Sequence, residues 1–422
     1  MTLVENLDAN QAESLGCGPL RPPGGVNVRS LRQQIFEYVR ATGLIARVDV
    51  AKDLAISPGS VTALTAELIG EGFIQESTAP RRDADSSRGR PPVALGVRPE
   101  AGYVAGIKLS DQAHAAVILD FAGNRVADAV MPRKIVHQSF AQTVDASEAV
   151  LMNALERSGL SLTDLNYVGL GMPGVVDNET GIVLWSPLVS ERDFPMQAAL
   201  QERIGRPVAI DNDANLVTLA EMWFGAGRAL SDFVVVTIEH GIGMGLVLNH
   251  RLYRGSQGLG TEIGHTKVQL DGALCRCGQR GCLEAYVADY ALVREASTAL
   301  NWDRQRATEP HIILESLYDH AKAGNIAAQT IFHRAGRYLA LGLANIVNLF
   351  DPSLILLSGE RMQYDYLYAE EVLNEMANLT LLSGRKPPKV EIHAWGDLLW
   401  AQGAAALALQ VATDVAMARS GG

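Results

Sequence analysis

Apolar residues recur at Leu31, Ile35 and Val39, a spacing of four that lays one stripe along a helix opening after Ser30 and stopped by Gly43. A second short helix is expected over about 48–54. Ser57-Pro58 then supplies an N-cap and a proline at the first helical position, opening a third helix to about residue 70 with Val61, Leu64, Leu68 and Ile69 on one face. After Gly72 the pattern becomes that of extended chain. Residues 73–76 and 93–97 read as the two strands of a hairpin around the polar, arginine-rich loop TAPRRDADSSRGRPP. Three short helices followed by a hairpin form the pattern of a winged helix-turn-helix.

Beyond residue 100 the pattern changes to buried strands alternating with helices. Strands are expected over 102–108, 115–119, 167–172, 208–210, 233–238, 244–248 and 354–357, and helices over 140–158, 215–224, 282–300 and 327–349. This is an α/β body, read as two lobes with a ligand cleft between them. Ahead of both parts, residues 1–26 are rich in Gly, Pro and polar residues without a period and read as a flexible arm. The domain boundaries expected are therefore 1–26, 27–98 and 99–422.

Composition narrows the class. With 48% hydrophobic and 20% charged residues, the 422-residue chain is not a disordered one. It offers no uninterrupted apolar run of membrane-spanning length and no basic-then-apolar leader, so a cytoplasmic protein without a membrane partner is expected. Four cysteines exclude a disulfide scaffold. The net charge of −11 argues against coating a nucleic acid, yet residues 27–98 hold ten Arg and Lys against eight acids. A mildly basic module on an acidic body predicts local contact with a polyanion. The third helix would enter the major groove of DNA with Ser57, Gly59, Ser60 and Thr62 near its N-terminal end, beside Ala63. Arg88 and Arg90 would reach the minor groove or phosphates from the wing. The competing reading is a helical protein–protein adaptor with a solvated charged loop.

The sharpest local motif is Cys275-Arg-Cys277-Gly-Gln-Arg-Gly-Cys282. Three cysteines within eight residues point to a thiophilic metal, zinc above others, and Gly278 and Gly281 let the chain wrap around it. A closed tetrahedron needs a fourth ligand, and His265 is the nearest upstream candidate; four protein ligands would make the site structural. A redox pair plus a spare thiol is the competing reading. Glu262 and Glu284 flank the same loop, and carboxylates suit polyol ligands because each accepts two hydroxyl hydrogen bonds. Asp211-Asn212-Asp213-Ala-Asn215 follows a strand and opens a helix, where α/β folds place ligand groups; one of these side chains must cap the helix. The glycine turns at 171–174 and 241–245 are weaker signals.

Taken in order, the motifs resemble the ROK family (repressors, open reading frames and kinases), specifically its DNA-binding repressor branch. The resemblance covers about residues 28–410. It rests on Gly89-Arg90-Pro91 in the wing, the turn Gly171-Met-Pro-Gly174, the run Asn212-Asp-Ala-Asn215, Glu262-Ile-Gly-His265 and the cysteine loop ending Cys282-Leu-Glu284. It implies an actin/hexokinase-like, sugar-kinase-like fold after the winged helix. It also implies a sugar site at Gly174, Asn212, Asp213, Glu262, His265 and Glu284, and zinc on His265, Cys275, Cys277 and Cys282. In family kinases the residue at Asp213 is the general base.

The departures lie on the nucleotide side. Family kinases carry DxGGTK where this chain has Lys108-Leu-Ser-Asp111-Gln112-Ala113, and GTG where it has Glu239-His240-Gly241. A carboxylate at 239 beside a triphosphate would cost about 4 kcal/mol per like-charge pair at about 4 Å and an effective dielectric of about 20. Ser358-Gly359-Glu360 replaces the adenosine-side glycine pair. Leu188 stands where family sugar sites are often polar, which counts against plain glucose. The expectation is a non-catalytic, sugar-responsive transcriptional repressor with Asp213 as a vestigial base. It would bind operator DNA as a homodimer or dimer of dimers, with a monosaccharide or sugar derivative as effector. The alternatives are an active sugar kinase fused to a DNA-binding domain, and an adaptor whose corepressor is a protein such as a transport component.

Overall fold

A computed structural model describes residues 16–20, 29–78, 93–133, 138–256, 258–300, 310–359, 362, 370–381, 383–384, 386–393, 396 and 398–418. The N-terminal module runs α1 (Leu31–Thr42), β1 (Ile45–Ala46), α2 (Arg47–Asp53), α3 (Pro58–Gly70), β2 (Ile74–Thr78) and β3 (Val93–Val97). Local chemistry sets these ends. The Ser30 hydroxyl accepts from the Gln33 amide, Gly43 terminates α1 at φ 80°, and Ser57 accepts from the Ser60 amide ahead of Pro58. Strands β2 and β3 pair antiparallel from Ile74 opposite Val97 to Thr78 opposite Val93, and β1 adds a third strand on β3 that the sequence pattern did not suggest. The wing tip, with Arg88 and Arg90, lies outside the described residues.

The body is built from two sheets of the same design. The first lobe contains β4 (Tyr103–Lys108), β5 (Ala113–Asp120), β6 (Arg125–Pro132), α4 (Phe140–Ser158), β7 (Leu165–Met172), the hairpin β8 (Val175–Asp177) and β9 (Ile182–Trp185), α5 (Met196–Ile204), β10 (Val208–Asn212) and α6 (Asp213–Phe224). The second contains β11 (Phe233–Ile238), β12 (Ile242–Leu248), β13 (Arg251–Tyr253), α7 (Glu284–Val287), α8 (Asp289–Ala299), α9 (Pro310–Lys322), α10 (Ile326–Phe350), β14 (Leu354–Ser358), α11 (Glu370–Leu379) and β15 (Lys389–His393). The last helix, α12 (Leu398–Ala418), returns to the first lobe. Strand orders are β10-β7-β4-β5-β6 and β13-β12-β11-β14-β15. In each sheet three consecutive strands pair antiparallel and two later ones add in parallel, so one topology occurs twice.

Alternation along the strands divides the core. On the first sheet Ala105, Ile107 and Ile118 face α4 and α5, while Val104, Val117 and Leu119 face α12. On the second, Val234, Val236 and Leu357 face α10, while Val235 and Leu356 share the core that contains α6. Helix α12 has the length and mean hydropathy of a membrane span, with 67% of that stretch buried inside the protein. It packs through small residues, and a Cβ on Gly403 would come within 1.9 Å of the Leu216 carbonyl oxygen in α6.

The N-terminal module shares a continuous core with this body. Phe121 at the end of β5 lies 5.6 Å from Phe36 and 6.0 Å from Phe73, ring centre to ring centre. Arg40 is buried over the Trp223 ring at 4.7 Å and donates to Thr413 Oγ1 at 2.7 Å, while Gln33 Nε2 donates to Asp414 at 2.6 Å. Residues 16–20 depart from the expected flexible arm. They form a strap, with the Cys17 amide on the Arg40 carbonyl, the Gly18 amide on the Trp223 carbonyl and the Leu20 amide on the Arg228 carbonyl. Cys17 is buried, and burial pushes its thiol up to about 11. The low-complexity pattern of 1–26 hid this strap because three main-chain hydrogen bonds and one buried side chain leave no period to read.

Gly403→Val should force α12 off α6 and cost about 3 kcal/mol, the upper end for overpacking. Guanidinium unfolding measures it; an unchanged midpoint would show that the close approach is dispensable.

Candidate functional site

The four predicted metal ligands converge. His265 Nδ1 and the sulfurs of Cys275, Cys277 and Cys282 lie within 4.8 Å of one another, with His265 Nδ1 3.7 Å from Cys275 Sγ and Cys277 Sγ 3.8 Å from Cys282 Sγ. Ligands at zinc distances of about 2.0–2.3 Å in a tetrahedron have edges of about 3.5–3.8 Å, so the set fits zinc. The loop is shaped by the Lys267–Cys282 and Leu274–Arg280 bridges and by Gly281 at φ 76°, where a Cβ would meet the Gln269 carbonyl oxygen at 1.7 Å. Sequence reading missed Lys267, whose Nζ donates to Cys282 Sγ at 2.9 Å. Three thiolates on a divalent ion carry a net negative charge, and this ammonium opposes it. An isolated lysine fifteen residues from Cys282 gives no sequence signal.

Three of the six predicted sugar residues share one pocket. Gly174, Asn212 and Glu262 line one pocket together with Asn215, Gly243 and Thr261. Gly174 sits at φ 120°, where a Cβ would meet the Trp185 carbonyl oxygen at 2.2 Å. Asn212 caps α6 by accepting from the Asn215 amide at 3.0 Å and donates to the Gly174 carbonyl at 3.3 Å. Asp211 is committed elsewhere: it is buried, accepts from Asn215 Nδ2 at 2.8 Å and pairs with Arg254 at 2.7 Å. Asp213 begins α6 with its carboxylate accepting from the Ala214 amide at 2.9 Å.

The carboxylates sense one another. Burial pushes the Glu262 carboxyl up, His265 pulls it down, and Asp213 and Glu284 push it further up. Burial also raises the Asp213 carboxyl, against the Ala214 amide and the charge of Lys108. Glu284 accepts from the Tyr290 hydroxyl at 3.3 Å and lies 3.6 Å from Cys275 Sγ, which ties the metal loop to the pocket. Tyr290 was also missed, for it stands outside every motif. Leu188 does not face the pocket: it is buried in the first-lobe core and offers its carbonyl to Arg133.

The residues that sequence analysis set against the family's phosphate loops are placed as follows. Lys108, at the end of β4, is buried with its Nζ 4.3 Å from the Trp400 ring centre. His240, in the β11–β12 turn, lies between Asp111 at 2.5 Å and Asp289 at 3.2 Å. In the N-terminal module, Ser57, Gly59, Thr62 and Ala63 are exposed at the start of α3 and Ser60 is half-buried. They leave an open, small-residue face there.

Two lobes with matching five-stranded sheets and a polar cleft define the actin/hexokinase-like class of sugar-kinase folds. The chain belongs to the ROK family, whose model matches residues 104–411. It is 26% identical over 357 residues to the xylose repressor of Caldicellulosiruptor bescii, covering 81% of this chain and 86% of that one. The ROK hexokinase of Thermus thermophilus is 31% identical with a TM-score of 0.64, covering 74% of this chain and 99% of its own. A ROK family transcriptional regulator, a homolog of E. coli Mlc, superposes with a TM-score of 0.74 over 92% of this chain and 97% of its own at 24% identity.

Purified protein should carry about one zinc ion per chain, and Cys277→Ser should lose it and lower Tm by at least about 5 °C. Metal analysis with thermal unfolding checks this. Full zinc content in the variant would remove Cys277 from the ligand set.

Proposed function

We propose that the chain is a sugar-responsive, DNA-binding transcriptional repressor whose body binds a monosaccharide or sugar derivative without phosphorylating it. The observation that carries this reading is the contrast within one cleft. Asn212 and Glu262 line one pocket, Asp213 and Glu284 act on the Glu262 carboxyl, and Glu284 lies 3.6 Å from Cys275 Sγ, while the positions set against the family's phosphate loops carry Lys108, Asp111 and His240. A lysine in place of the first acid and a carboxylate at Glu239 set unfavourable charge against a metal–triphosphate. The relative named a xylose repressor supports the regulatory role.

The residues take the following parts. Asn212, Asp213, Glu262 and Glu284 accept sugar hydroxyl hydrogen bonds, and Gly174 lets the main chain come close to the ring. His265, Cys275, Cys277 and Cys282 hold a structural zinc. Bound to zinc through one ring nitrogen, His265 would keep the other protonated as a hydrogen-bond donor. The module over 27–98 binds a palindromic operator as a dimer, with Ser57, Gly59, Ser60 and Thr62 at the major groove and Arg88 and Arg90 at the wing.

Two helices join these parts. Helix α6 begins at Asp213, next to the pocket residue Asn212, and ends beside Trp223, under Arg40 of the module; α12 carries Trp400, against Lys108, in its first turn and ends where Thr413, Asp414 and Met417 hold α1. Sugar binding that favours one lobe geometry must therefore reorient the paired α3 helices, and a coupling of about 1–3 kcal/mol changes operator affinity about 5- to 150-fold. A second reading, a kinase fused to a DNA-binding module, draws on the retained Asp213 and on the 31% identity to a hexokinase.

Thermal unfolding of the zinc-loaded protein against xylose, glucose and N-acetylglucosamine, with and without Mg-ATP, separates the two. A ligand at 100 times its Kd adds about 2.7 kcal/mol and moves Tm by a few degrees. A shift with a sugar and none with Mg-ATP is expected; a clear Mg-ATP shift would favour the kinase. Arg90→Ala should weaken operator binding about tenfold with sugar affinity unchanged, and equal operator affinity would remove the wing from the interface.

A further inference from the structure

Among the described residues, charged side chains cross between the lobes at three places: His393 on β15 meets the buried Glu221 of α6 at 2.8 Å, and two more crossings involve Arg254 and Asp111. Arg254, following β13 of the second lobe, pairs with Asp211 on β10 of the first. Asp111, in the β4–β5 turn of the first lobe, lies 2.5 Å from His240 Nε2 in the β11–β12 turn of the second. The same imidazole turns Nδ1 to Asp289, the first residue of α8, at 3.2 Å. A ring that donates from both nitrogens is an imidazolium, and the two carboxylates push its pKa up to about 10 against burial.

The crossings differ in what breaking them requires. Arg254 meets a carboxylate that is 2% exposed and also anchored by Asn215, so separation would strand a buried charge. Asp111 and His240 have side chains 43% and 37% exposed, so water can replace each partner as they part. His240 and Asp289 move as one body, since the Asp289 amide also bonds the Glu239 carbonyl at 3.3 Å. The breakable contact is therefore the one that crosses the lobes.

We propose that Asp111, His240 and Asp289 form an inter-lobe clasp, with the buried Arg254–Asp211 and His393–Glu221 pairs as the fixed contacts about which the cleft opens. The clasp takes its state from the pocket. Gly241, next to His240, lies against Glu284, where a Cβ would stand 2.9 Å from its Oε2, and Glu284 opens the short helix that leads into Asp289. A polyol on Glu284 holds this helix and turn in place and so favours the clasped geometry. The inference rests on the sugar-site reading only in this last step; the clasp itself is a contact of the protein alone.

The test uses zinc-loaded full-length protein with neither sugar nor DNA, so it stands whether or not the chain binds an operator. Hydrogen–deuterium exchange is followed for Asp111→Asn, His240→Gln and, as a control within one lobe, Asp128→Asn, whose carboxylate meets Arg125 at 3.6 Å. Asp111→Asn should speed amide exchange about tenfold in both turns, 106–116 and 238–244, and raise the radius of gyration, with α10 unchanged and the control silent. His240→Gln should do the same, and if it fails to fold, Asp111→Asn decides alone. Exchange in the β11–β12 turn within about twofold of the parent, or an equal rise in the control, overturns the clasp.

Discussion

Helix α12 lies against the first sheet with backbone touching backbone, and most of what the protein can do follows from that approach. A Cβ on Gly106 would fall 2.1 Å from the Ala401 carbonyl oxygen, so β4 carries no side chain at the crossing. At this separation neither helix nor sheet can slide past the other without a clash, because packed interiors are as dense as organic crystals. Helix α6 is held on the other side of α12 through Gly403 in the same manner. A 12-residue helix spans about 18 Å and a 21-residue one about 32 Å, so the pair reaches from the pocket to the DNA-binding module as one stiff unit.

Where those helices end, the module is docked by buried charge rather than by apolar surface alone. Arg32 donates to the Met417 carbonyl at 3.2 Å and pairs with Glu67 at 2.9 Å, Arg40 reaches Thr413, and Arg228 donates to the carbonyls of Gly18 and Ala41 at 3.1 and 2.5 Å. Each such guanidinium is expensive to bury, and a small displacement would leave its donors unmet. Apolar contacts such as Phe36 on Phe121 tolerate rotation, whereas carbonyl-directed arginines do not. The docking is therefore specific in orientation, which the proposed operator-binding dimer would require of its two α3 helices.

Much of this was legible in the residues, and the legible part shares one property: it is local. Ser30, Gly43, Ser57 and Pro58 mark the ends of α1 and α3 because capping acts within four residues. The cysteine loop declares itself because ligands on a tight loop must be close in sequence, and a strand followed by Asn212 and Asp213 marks the mouth of the cleft. What sequence reading missed is non-local. Helix α12 is apolar nearly all round, so it shows no amphipathic period; its partners are nearly 300 residues upstream in β4. Residues 125–132 form β6 with only Ala129 fully buried on an edge strand, which blurs alternation. The helix expected over 282–300 is broken at Ala288, where α7 turns into α8 so that Glu284 and Asp289 face different partners. No propensity demands that break; the tertiary contacts of those two acids do.

On the proposed reading, the cleft is a kinase-like frame that keeps hydroxyl acceptors for a polyol and gives up transfer chemistry. A general base needs a carboxylate whose proton affinity rises as the hydroxyl gives up its proton, and burial of Asp213 pushes it in that direction. The charge of Lys108, immobilised on the Trp400 ring, pushes the other way. Burial is the larger effect, so the Asp213 carboxyl stays raised overall and the cation offsets only part of that rise. On the proposed alignment Lys108 replaces the first acid of the family's phosphate loop, where a cation disfavours the metal-bound phosphoryl donor that proton transfer would serve. Recognition of a polyol asks for neither. It asks that acceptors be fixed in direction, which the Asn212 cap, the Ala214 amide on Asp213 and the Tyr290 hydroxyl on Glu284 supply from the protein's own backbone and side chains.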